Sequence, residues 1–391
     1  MITAEDLERT AERLRDALRA ADDLMAPPHT VPARARWARA WLVPVTAAAC
    51  VTIVIIASVF IARNVQSHPP AVASPAAQPP EFYVTSSTVS TGAGPSANTV
   101  QYLQVRRTST GRVTGSLVTR HDWPGGNTEI AAVGDRTFYI AQGDVTCPDK
   151  TRLYRLAISA TGHITGLLRI GPVLRTSILG IAVAPDGRHL AYLASTDCGQ
   201  LPDGHLAVTV LDLTSGATRT WPSAHLMSSF TSASELSLPI VSWMPDDRTL
   251  VVAKTSVFPP GQTTPVLGLD TDSTAGTLQA ASRVLWTLPS CSAVCIQDVF
   301  AGPAEDTLTA LVVRIASHDV LVENVALTTA GPRQHVTFST VLPNVRFPSA
   351  SLSADPSGRY LILFRDGTAN WIDDGALRTL PVLGDALAIA W

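Results

Sequence analysis

A tight turn recurs along the chain after residue 80 and constrains the fold more than any other feature. Its sharpest copy is Pro185-Asp186-Gly187, which stands between two short apolar segments. Proline presets φ, aspartate bonds back to the backbone and glycine accepts a positive φ, so this tripeptide suits a turn between two strands. Weaker copies occur before and after it at intervals of about 50 to 60 residues, a spacing typical of β-propeller blades. These copies lie at residues 133–138, 244–250, 302–308 and 354–361.

Each copy of the turn lies inside a longer unit of four predicted strands. A run of small apolar residues precedes the turn at residues 178–183, and a second apolar strand follows it. Later in the unit a second hairpin is predicted, most clearly over residues 206–221. Four antiparallel strands make one propeller blade, so each unit is predicted to be a blade. The second hairpins of the other units are predicted at residues 153–170, 265–288, 320–342 and 369–380.

The two ends of this region complete each other. Residues 386–391 look like a first strand with nothing after it, whereas the region opens at residues 81–84 and 100–105 with no first strand before it. Joining the C-terminal strand, which ends at Trp391, to the N-terminal strands completes a sixth blade and removes two exposed sheet edges. Residues 81–391 are therefore predicted to form an all-β, six-bladed propeller. Five tryptophans on predicted strands are expected to pack between blades: Trp221, Trp243, Trp286, Trp371 and Trp391.

An apolar segment before the propeller is long enough to cross a membrane. Residues 41–62 contain no charged side chain, and a helix of this length covers the ~30 Å of bilayer hydrocarbon. Arg34, Arg36 and Arg39 precede the segment, and Arg63 alone follows it closely. The positive-inside rule then predicts a single-pass plasma-membrane protein with a cytoplasmic N-terminus and an extracellular C-terminal domain.

A cleaved signal peptide is the alternative to this anchor, because residues 71–73 resemble a small-residue cleavage site. The apolar run is longer than a usual signal segment and about 40 residues precede it, which favours an uncleaved anchor. Residues 63–80 are rich in proline and alanine and are predicted to be an extended linker to the propeller.

Residues 1–40 are predicted to hold a cytoplasmic helix followed by a basic juxtamembrane segment. Thr3 and Asp6 suit the first turn of the helix. Leu7, Leu14 and Leu18 then fall on one narrow apolar seam. The seam predicts docking of a cytoplasmic partner or a short dimeric coil, and a solvated helix without a partner stays open as the alternative.

The best-preserved repeat resembles the WD40-like units of TolB-type propellers. The resemblance is carried by residues 184–192, with their Pro-Asp-Gly turn and Leu-Ala-Tyr strand, and by Asp-Leu-Thr-Ser-Gly at residues 212–216. It implies a six-bladed extracytoplasmic propeller that binds other proteins. Such turns are structural, so no functional residue carries over. The layout of helix, span, linker and propeller is also similar to that of actinobacterial surface proteins.

Four of the five cysteines fall in the predicted extracellular domain. Cys50 lies in the predicted span and is expected to act as a small apolar side chain. An even number of external cysteines fits an oxidising compartment, so disulfides are predicted. A bridge between blades is expected for Cys147 and Cys198, and a local loop for Cys291 and Cys295. Zinc binding is the weaker alternative, since neither spacing is Cys-x-x-Cys and no histidine stands near.

The remaining features indicate no catalytic residue, cofactor or metal. Residues 270–274 resemble the opening of a calcium loop, but Ala275 occupies the tight-turn position and no glutamate closes the loop. The acidic pairs at residues 246–247 and 373–374 lie in or beside predicted turns, where aspartate is expected for backbone reasons. A net charge of −3 gives no reason to expect a nucleic-acid partner.

These features together favour a non-enzymatic binding or sensor module, with a protein or cell-envelope ligand on a face of the propeller. One alternative is a hydrolase or lyase whose residues converge at the channel mouth from several blades and leave no local motif. The other is a scaffold for a membrane complex.

Overall fold

A computed structural model of the chain describes residues 79–91, 98–119, 127–143, 151–195, 206–223, 240–253, 263–291, 293–314, 317, 319–341, 350–365, 368–373, 376–380 and 386–391. These residues form six sheets of four antiparallel strands. The predicted all-β, six-bladed propeller is thereby confirmed. The predicted N-terminal helix and membrane span lie outside the described residues. Among those that are described, no helix is both long and apolar enough to cross a bilayer.

Each blade is a four-stranded sheet, and the strands are numbered in chain order. The first blade contains β1 (Phe82–Thr91), β2 (Asn98–Arg107) and β3 (Val113–Thr119). The second contains β4 (Asn127–Val133), β5 (Thr137–Gly143), β6 (Thr151–Ile158) and β7 (Ile164–Leu174). The third contains β8 (Ser177–Val183), β9 (His189–Ser195), β10 (Leu206–Asp212) and β11 (Thr218–Ser223).

The second half of the chain repeats this plan. The fourth blade contains β12 (Ile240–Trp243), β13 (Thr249–Ala253), β14 (Thr264–Asp270) and β15 (Ser282–Leu288). The fifth contains β16 (Val294–Ala301), β17 (Thr307–Arg314), β18 (Asp319–Thr328) and β19 (Gly331–Val341). The sixth contains β20 (Ala350–Ala354), β21 (Leu361–Arg365), β22 (Thr368–Asp373) and β23 (Ala376–Leu380), and β24 (Ala386–Ala390) ends the chain.

The C-terminal strand β24 completes the first blade by pairing with β1. The register joins Val84 to Ala390 and Thr85 to Ile389, and the sheet order is β24-β1-β2-β3. The first strands of successive blades also contact one another, in the order β24, β4, β8, β12, β16, β20 and back to β24. These inner strands therefore surround the axis of the ring, and the predicted closure is confirmed.

The sharpest copy of the turn connects β8 to β9 in the third blade, as predicted. The amide of Ala184 donates to the carbonyl of His189 at 2.8 Å. Gly187 has a φ of 69°, where a side chain would be strained. Asp186 Oδ1 accepts from the amide of Arg188 at 2.7 Å. The residue types of the turn thus meet the backbone requirements from which the turn was predicted.

Apolar side chains fill the spaces between neighbouring blades. Each core cluster joins strands of two adjacent sheets, as where Trp221 and Trp243 pack together between the third and fourth blades. Trp286 packs between the fourth and fifth blades, and Trp391 between the sixth and the first. At most 7% of each of these four residues is exposed, which confirms their predicted packing role. Trp371 is only partly buried, against the cluster between the sixth and first blades.

The fourth blade departs from the predicted hairpin over residues 265–288. A short helix, α1 (Leu278–Ala281), stands between β14 and β15. Thr277 caps it, since the Thr277 side chain accepts from the amide of Ala280 at 3.3 Å. Leu278 is fully buried against the third and fourth blades. The helical turn directs Leu278 into the core between the two blades, which a plain hairpin connection would not do.

Closure of the ring predicts that the last strand is needed for folding. We expect deletion of residues 386–391 to make the chain insoluble, because β1 loses its β24 neighbour and becomes an exposed edge, and the sixth blade loses its contact with Trp391. The milder variant Trp391→Ala removes a side chain that is 1% exposed, so it should lower the free energy of unfolding by about 3–5 kcal/mol. Urea unfolding followed by tryptophan fluorescence measures this change.

Val284→Ala is the matched control, since it also truncates a strand residue but at a site that is 59% exposed. We expect this control to change stability by about 0.5 kcal/mol or less. A soluble, unchanged deletion variant would show that the ring closes without β24.

Candidate functional site

The propeller has two faces of different construction. Inner turns join the first and second strands of a blade, and outer turns join the third and fourth. Because neighbouring strands are antiparallel, both kinds of turn lie on the same side of the propeller, here named the turn face. The connections between the second and third strands and between blades lie on the opposite side, named the loop face. Several of the latter are longer, as between Ser195 and Leu206 and between Ser223 and Ile240. The turn face is well described, whereas much of the loop face lies outside the described residues.

Carboxylates on the turn face hold the turns themselves. Asp212 Oδ1 accepts from the amides of Thr214 and Ser215 at 2.8 and 2.9 Å, and these N–H groups lower the pKa of Asp212. Asp246 accepts from both the amide and the hydroxyl of Thr249. These bonds outweigh the opposing effect of burial and lower the pKa of Asp246. Both side chains are ionised at neutral pH and serve the backbone.

One carboxylate links two neighbouring turns. Asp247 Oδ1 accepts from the amide of Asp186 at 2.7 Å, from the fourth blade to the third. The φ of Asp247 is 55°, a conformation that aspartate tolerates better than most residues. Burial, helped by the charges of Asp186 and Asp246, raises the pKa of Asp247. The predicted structural role of the Asp246-Asp247 pair thus includes a bond between blades.

The segment resembling a calcium loop is occupied by an arginine. Arg248 Nε lies 3.1 Å from Asp270 Oδ1 and 3.2 Å from Asp272 Oδ2. The pKa of Asp270 is lowered, first by its bond with Arg248. Within the described residues, no group of three or more His, Cys, Asp or Glu side chains is placed to hold a metal ion.

Polar side chains connect the first and second blades near the loop face, beside the apolar core that these blades share. Gln101 Nε2 donates to Ser86 Oγ at 2.9 Å and also to Thr128 Oγ1. Gln142 Nε2 donates to Gln101 Oε1 at 3.0 Å. Ser86 and Thr128 are buried, while both glutamines are partly exposed. The network ties two blades together and leaves amide groups within reach of solvent.

Asp298 is a buried carboxyl between the fifth and sixth blades. It lies on the inner strand β16, and its Oδ2 accepts from the amide of Leu352 on the next inner strand at 2.6 Å. Burial raises its pKa to about 7, although the N–H of Leu352 acts in the opposite direction. The carboxyl therefore changes its protonation near neutral pH.

A second polar residue accompanies Asp298. The register between β16 and β17 shifts from Ile296 to Asp298, which makes Gln297 the extra residue of a β-bulge. Gln297 is 6% exposed, and its Oε1 has no hydrogen-bond partner among the described residues. Shifted pKa values are typical of functional sites but also of structural networks. The bond to Leu352 gives Asp298 a structural role, since it joins two inner strands.

The cysteines are placed only in part. Cys291 and Cys295 are joined by a disulfide, with their Cα atoms 4.5 Å apart. Cys295 lies on β16 and is buried. Cys147 and Cys198 lie outside the described residues, so the bridge between blades stays a prediction.

Sequence reasoning missed Asp298 and the glutamine network. A signal for Asp298 was present, because it is the only charged residue in the apolar run of β16. The glutamines gave no comparable signal, since polar residues are common near strand ends. Their role depends on which strands of different blades become neighbours.

Comparison with known proteins finds only distant likenesses among solved structures. Scanned against models of protein families and against curated protein sequences, the chain matches none. Among solved structures, it is similar to a putative TolB from Agrobacterium tumefaciens, with 13% identity over 79% of this chain and 92% of that one, and a TM-score of 0.43.

Two further solved structures are similar to the chain at a comparable level. A hypothetical selenium-binding protein from Sulfolobus tokodaii has 10% identity over 79% of this chain and 76% of that one, with a TM-score of 0.44. The β-propeller domain of Cps50 (Swd1) from Myceliophteria thermophila has 9% identity over 73% of this chain and 82% of that one, with a TM-score of 0.39.

The raised pKa of Asp298 predicts a pH-dependent stability. The folded chain binds this proton more tightly than the unfolded chain, whose carboxyl has the ordinary pKa of 3.8. The resulting stabilisation is complete below that value and is lost as the pH rises through about 7. Asp298→Asn carries a neutral amide whose oxygen can still accept from Leu352. Between about pH 4 and pH 8, the stability of wild type relative to this variant should fall by on the order of 2–4 kcal/mol.

Urea unfolding at several pH values measures this difference. Glu305→Gln, which neutralises an exposed carboxylate on an inner turn, is the matched control and should follow wild type. An Asp298→Asn variant whose stability tracks wild type at every pH contradicts the assignment.

The cysteine pairs predict a definite pattern of thiol protection. Without reductant, we expect alkylation to leave Cys291 and Cys295 unmodified, and Cys147 and Cys198 to appear as one cross-linked pair of peptides in mass spectrometry. The Cys291–Cys295 bridge closes a short loop, so Cys291→Ser should lower the free energy of unfolding by about 2 kcal/mol. Free thiols at these positions in freshly isolated protein argue against an oxidising compartment.

Proposed function

We propose that this chain is a membrane-anchored, extracytoplasmic propeller that binds a protein or cell-envelope ligand and catalyses no reaction. The observation that carries the proposal is the commitment of polar side chains to the ring itself. Asp186, Asp212, Asp246 and Asp247 bond to backbone amides of turns. Asp298 joins two inner strands. Aspartates that bond to the backbone in this way stabilise the frame of the propeller, and a stable frame suits a protein that presents a binding surface.

The loop face is the proposed binding face. Rigid scaffolds commonly bind through connecting segments rather than through their regular elements. In this propeller the inner and outer turns are mostly short, and the longer connections lie on the opposite side. The partly exposed amide of Gln142 stands near that side and can donate to and accept from the polar groups of a ligand.

The proposed anchor is the apolar segment at residues 41–62, preceded by basic residues in the sequence. In this arrangement the propeller is outside the cell, where the disulfide between Cys291 and Cys295 is stable. The seam of Leu7, Leu14 and Leu18 then lies in the cytoplasm. It is proposed to bind a partner or a second copy there. This contact would localise the protein in the membrane or relay ligand binding by the propeller to the cytoplasm.

In-cell cross-linking of the tagged full-length chain tests this proposal. We expect two separable sets of partners in mass spectrometry, one outside and one inside. Leu14→Asp should remove the inner set by placing a charge on the seam, while the outer set is kept. The matched control is Ala17→Asp, which places the same charge at a position off the seam. This variant should keep both sets of partners.

Membrane topology is measured on the same cells. The chain should resist extraction by alkaline carbonate, and protease added outside intact spheroplasts should remove the propeller and leave an N-terminal fragment. Release by carbonate contradicts the anchor. If the Leu14→Asp variant and wild type both yield the same stable, stoichiometric assembly, the result favours a structural scaffold over a sensor.

A further inference from the structure

Acidic residues outnumber basic ones around the axis of the ring. The inner strands β4, β8, β12, β16, β20 and β24 contain Glu129 and Asp298 but no lysine, arginine or histidine. Arg175 stands two residues before β8 at the loop face. Propellers enclose a channel along this axis, and a channel lined mainly by one sign of charge favours ligands of the opposite sign. The inner turns also hold more carboxylates than arginines: Asp135, Asp186, Asp246, Asp247, Glu305, Asp306 and Asp355 with Arg136, Arg188, Arg248 and Arg359.

Asp298 is buried beside this axis without a countercharge. It is 7% exposed, and among the described residues no basic side chain forms an ion pair with it. Its Oδ2 accepts from the amide of Leu352, whereas its Oδ1 accepts no hydrogen bond from a described residue. A buried carboxylate without a cationic partner is costly. The ionised side chain therefore favours a bound cation.

The contact between Asp298 and Leu352 does not itself require a charge. Two other pairs of neighbouring inner strands are joined by neutral side chains. Ser242 Oγ accepts from the amide of Ala301 at 2.8 Å, and Trp243 Nε1 donates to the carbonyl of Ala182 at 3.2 Å. An ionisable side chain at residue 298 thus exceeds what the joining of two inner strands requires.

Gln297 supplies a second acceptor next to Asp298. It is the extra residue of the bulge in β16, and bulges re-aim the side chains of a strand. Gln297 is 6% exposed, yet its Oε1 accepts no hydrogen bond from the described residues. A buried amide oxygen without a donor lowers the stability of the fold. The bulge therefore keeps an unsatisfied oxygen adjacent to a buried carboxyl.

A backbone carbonyl adds a third acceptor. Leu352 stands opposite Leu363 in the pairing of β20 with β21. The amide of Leu352 donates to Asp298, which identifies a non-hydrogen-bonded pair whose N–H and C=O groups point away from the partner strand. Because β20 is an inner strand, that edge faces the axis. The carbonyl of Leu352 thus points the same way as the amide that Asp298 contacts.

We propose that the axial channel binds a protonated amino group of the ligand through Asp298, Gln297 and the carbonyl of Leu352. An alkylammonium carries one positive charge and three N–H donors, which match one carboxylate and two neutral oxygens. It is favoured over a metal ion because, in the described part of the chain, no three His, Cys, Asp or Glu side chains are placed to hold one. The inference rests on the ligand binding proposed above and names a chemical group of that ligand.

The depth of Asp298 constrains the shape of the ligand. Asp298 is the fifth residue of β16, counted from the loop face. At ~3.3 Å per residue, it lies on the order of 10 Å below that face. The amino group must therefore stand at the end of an extended chain, as the N-terminus or a lysine of an inserted peptide segment does.

Binding of propylammonium chloride to the full-length chain in neutral detergent tests the site. At pH 8 most of Asp298 is ionised, because its pKa is about 7, while an alkylamine with a pKa of ~10 keeps its proton. We expect saturable binding in ligand-observed NMR, with a Kd on the order of 1–10 mM because so small a probe makes few contacts. Tetramethylammonium has the charge but no N–H donor, so it should not bind in this range.

Two variants separate the contributions of the carboxylate and the amide. Asp298→Asn removes the charge and keeps an oxygen for Leu352, and it should weaken propylammonium binding roughly tenfold or more. Gln297→Leu should weaken binding by about tenfold, while the free variant unfolds at the same temperature as wild type or higher, since an unpaired buried oxygen is removed. The matched control Glu305→Gln neutralises an exposed carboxylate on the inner turn of the same blade and should bind as wild type. Thermal unfolding checks that each variant is folded.

Several results would overturn the site. No saturable binding of propylammonium to wild type does so, as does equal affinity in wild type, Asp298→Asn and Gln297→Leu. Tetramethylammonium binding as tightly as propylammonium shows that the N–H donors are not recognised. Binding of Ca²⁺ without binding of propylammonium, lost in Asp298→Asn, assigns these oxygens to a metal ion instead.

The site and the proposed ligand binding fail in different ways. If cross-linking in cells captures the same outside partners with wild type and Asp298→Asn, and propylammonium does not bind, the amino-group site fails alone. If propylammonium binds as expected but no outside partner is captured, the site stands and the proposed function fails.

Discussion

The pairing of β24 with β1 is the contact on which the rest of the propeller depends. It joins the last described residues to the first, so that the first blade is built from both ends of the chain. Trp391 adds a side chain to the core between the sixth and first blades, where it packs edge-on against Tyr360 and Trp371. Every other blade is continuous in sequence. Only this one couples the stability of the ring to a contact between distant parts of the chain.

Polar groups in this molecule work mainly between neighbouring elements of the ring. Asp247 bonds to the turn of the preceding blade, Asp298 to the inner strand of the following one, and Gln101 spans the first and second blades. Each is partly or fully buried, where an unpaired polar group is costly. Bonds of this kind fix how blades are oriented to one another, while the apolar clusters supply most of the attraction between them.

Much of the fold was predictable because its signals are local. The turn at residues 184–188 requires a proline, an aspartate and a glycine for backbone reasons that do not depend on distant residues. Closure was also predictable. The array of repeats ends in an extra first strand and begins without one, so joining its two ends completes the first blade. The helix α1 was missed, because Leu278 is buried by strands of two blades whose arrangement no local pattern reveals.

The candidate functional features follow the same division. By itself the sequence determined the six blades, their turns and the strand that closes the ring, because strand alternation and turn chemistry act over a few residues. Only the tertiary structure decided that Asp298 meets the amide of Leu352 and that two glutamines from different blades bond. These arrangements depend on which strands become neighbours and which ends of strands share a face, and those relations exist only once the ring is closed.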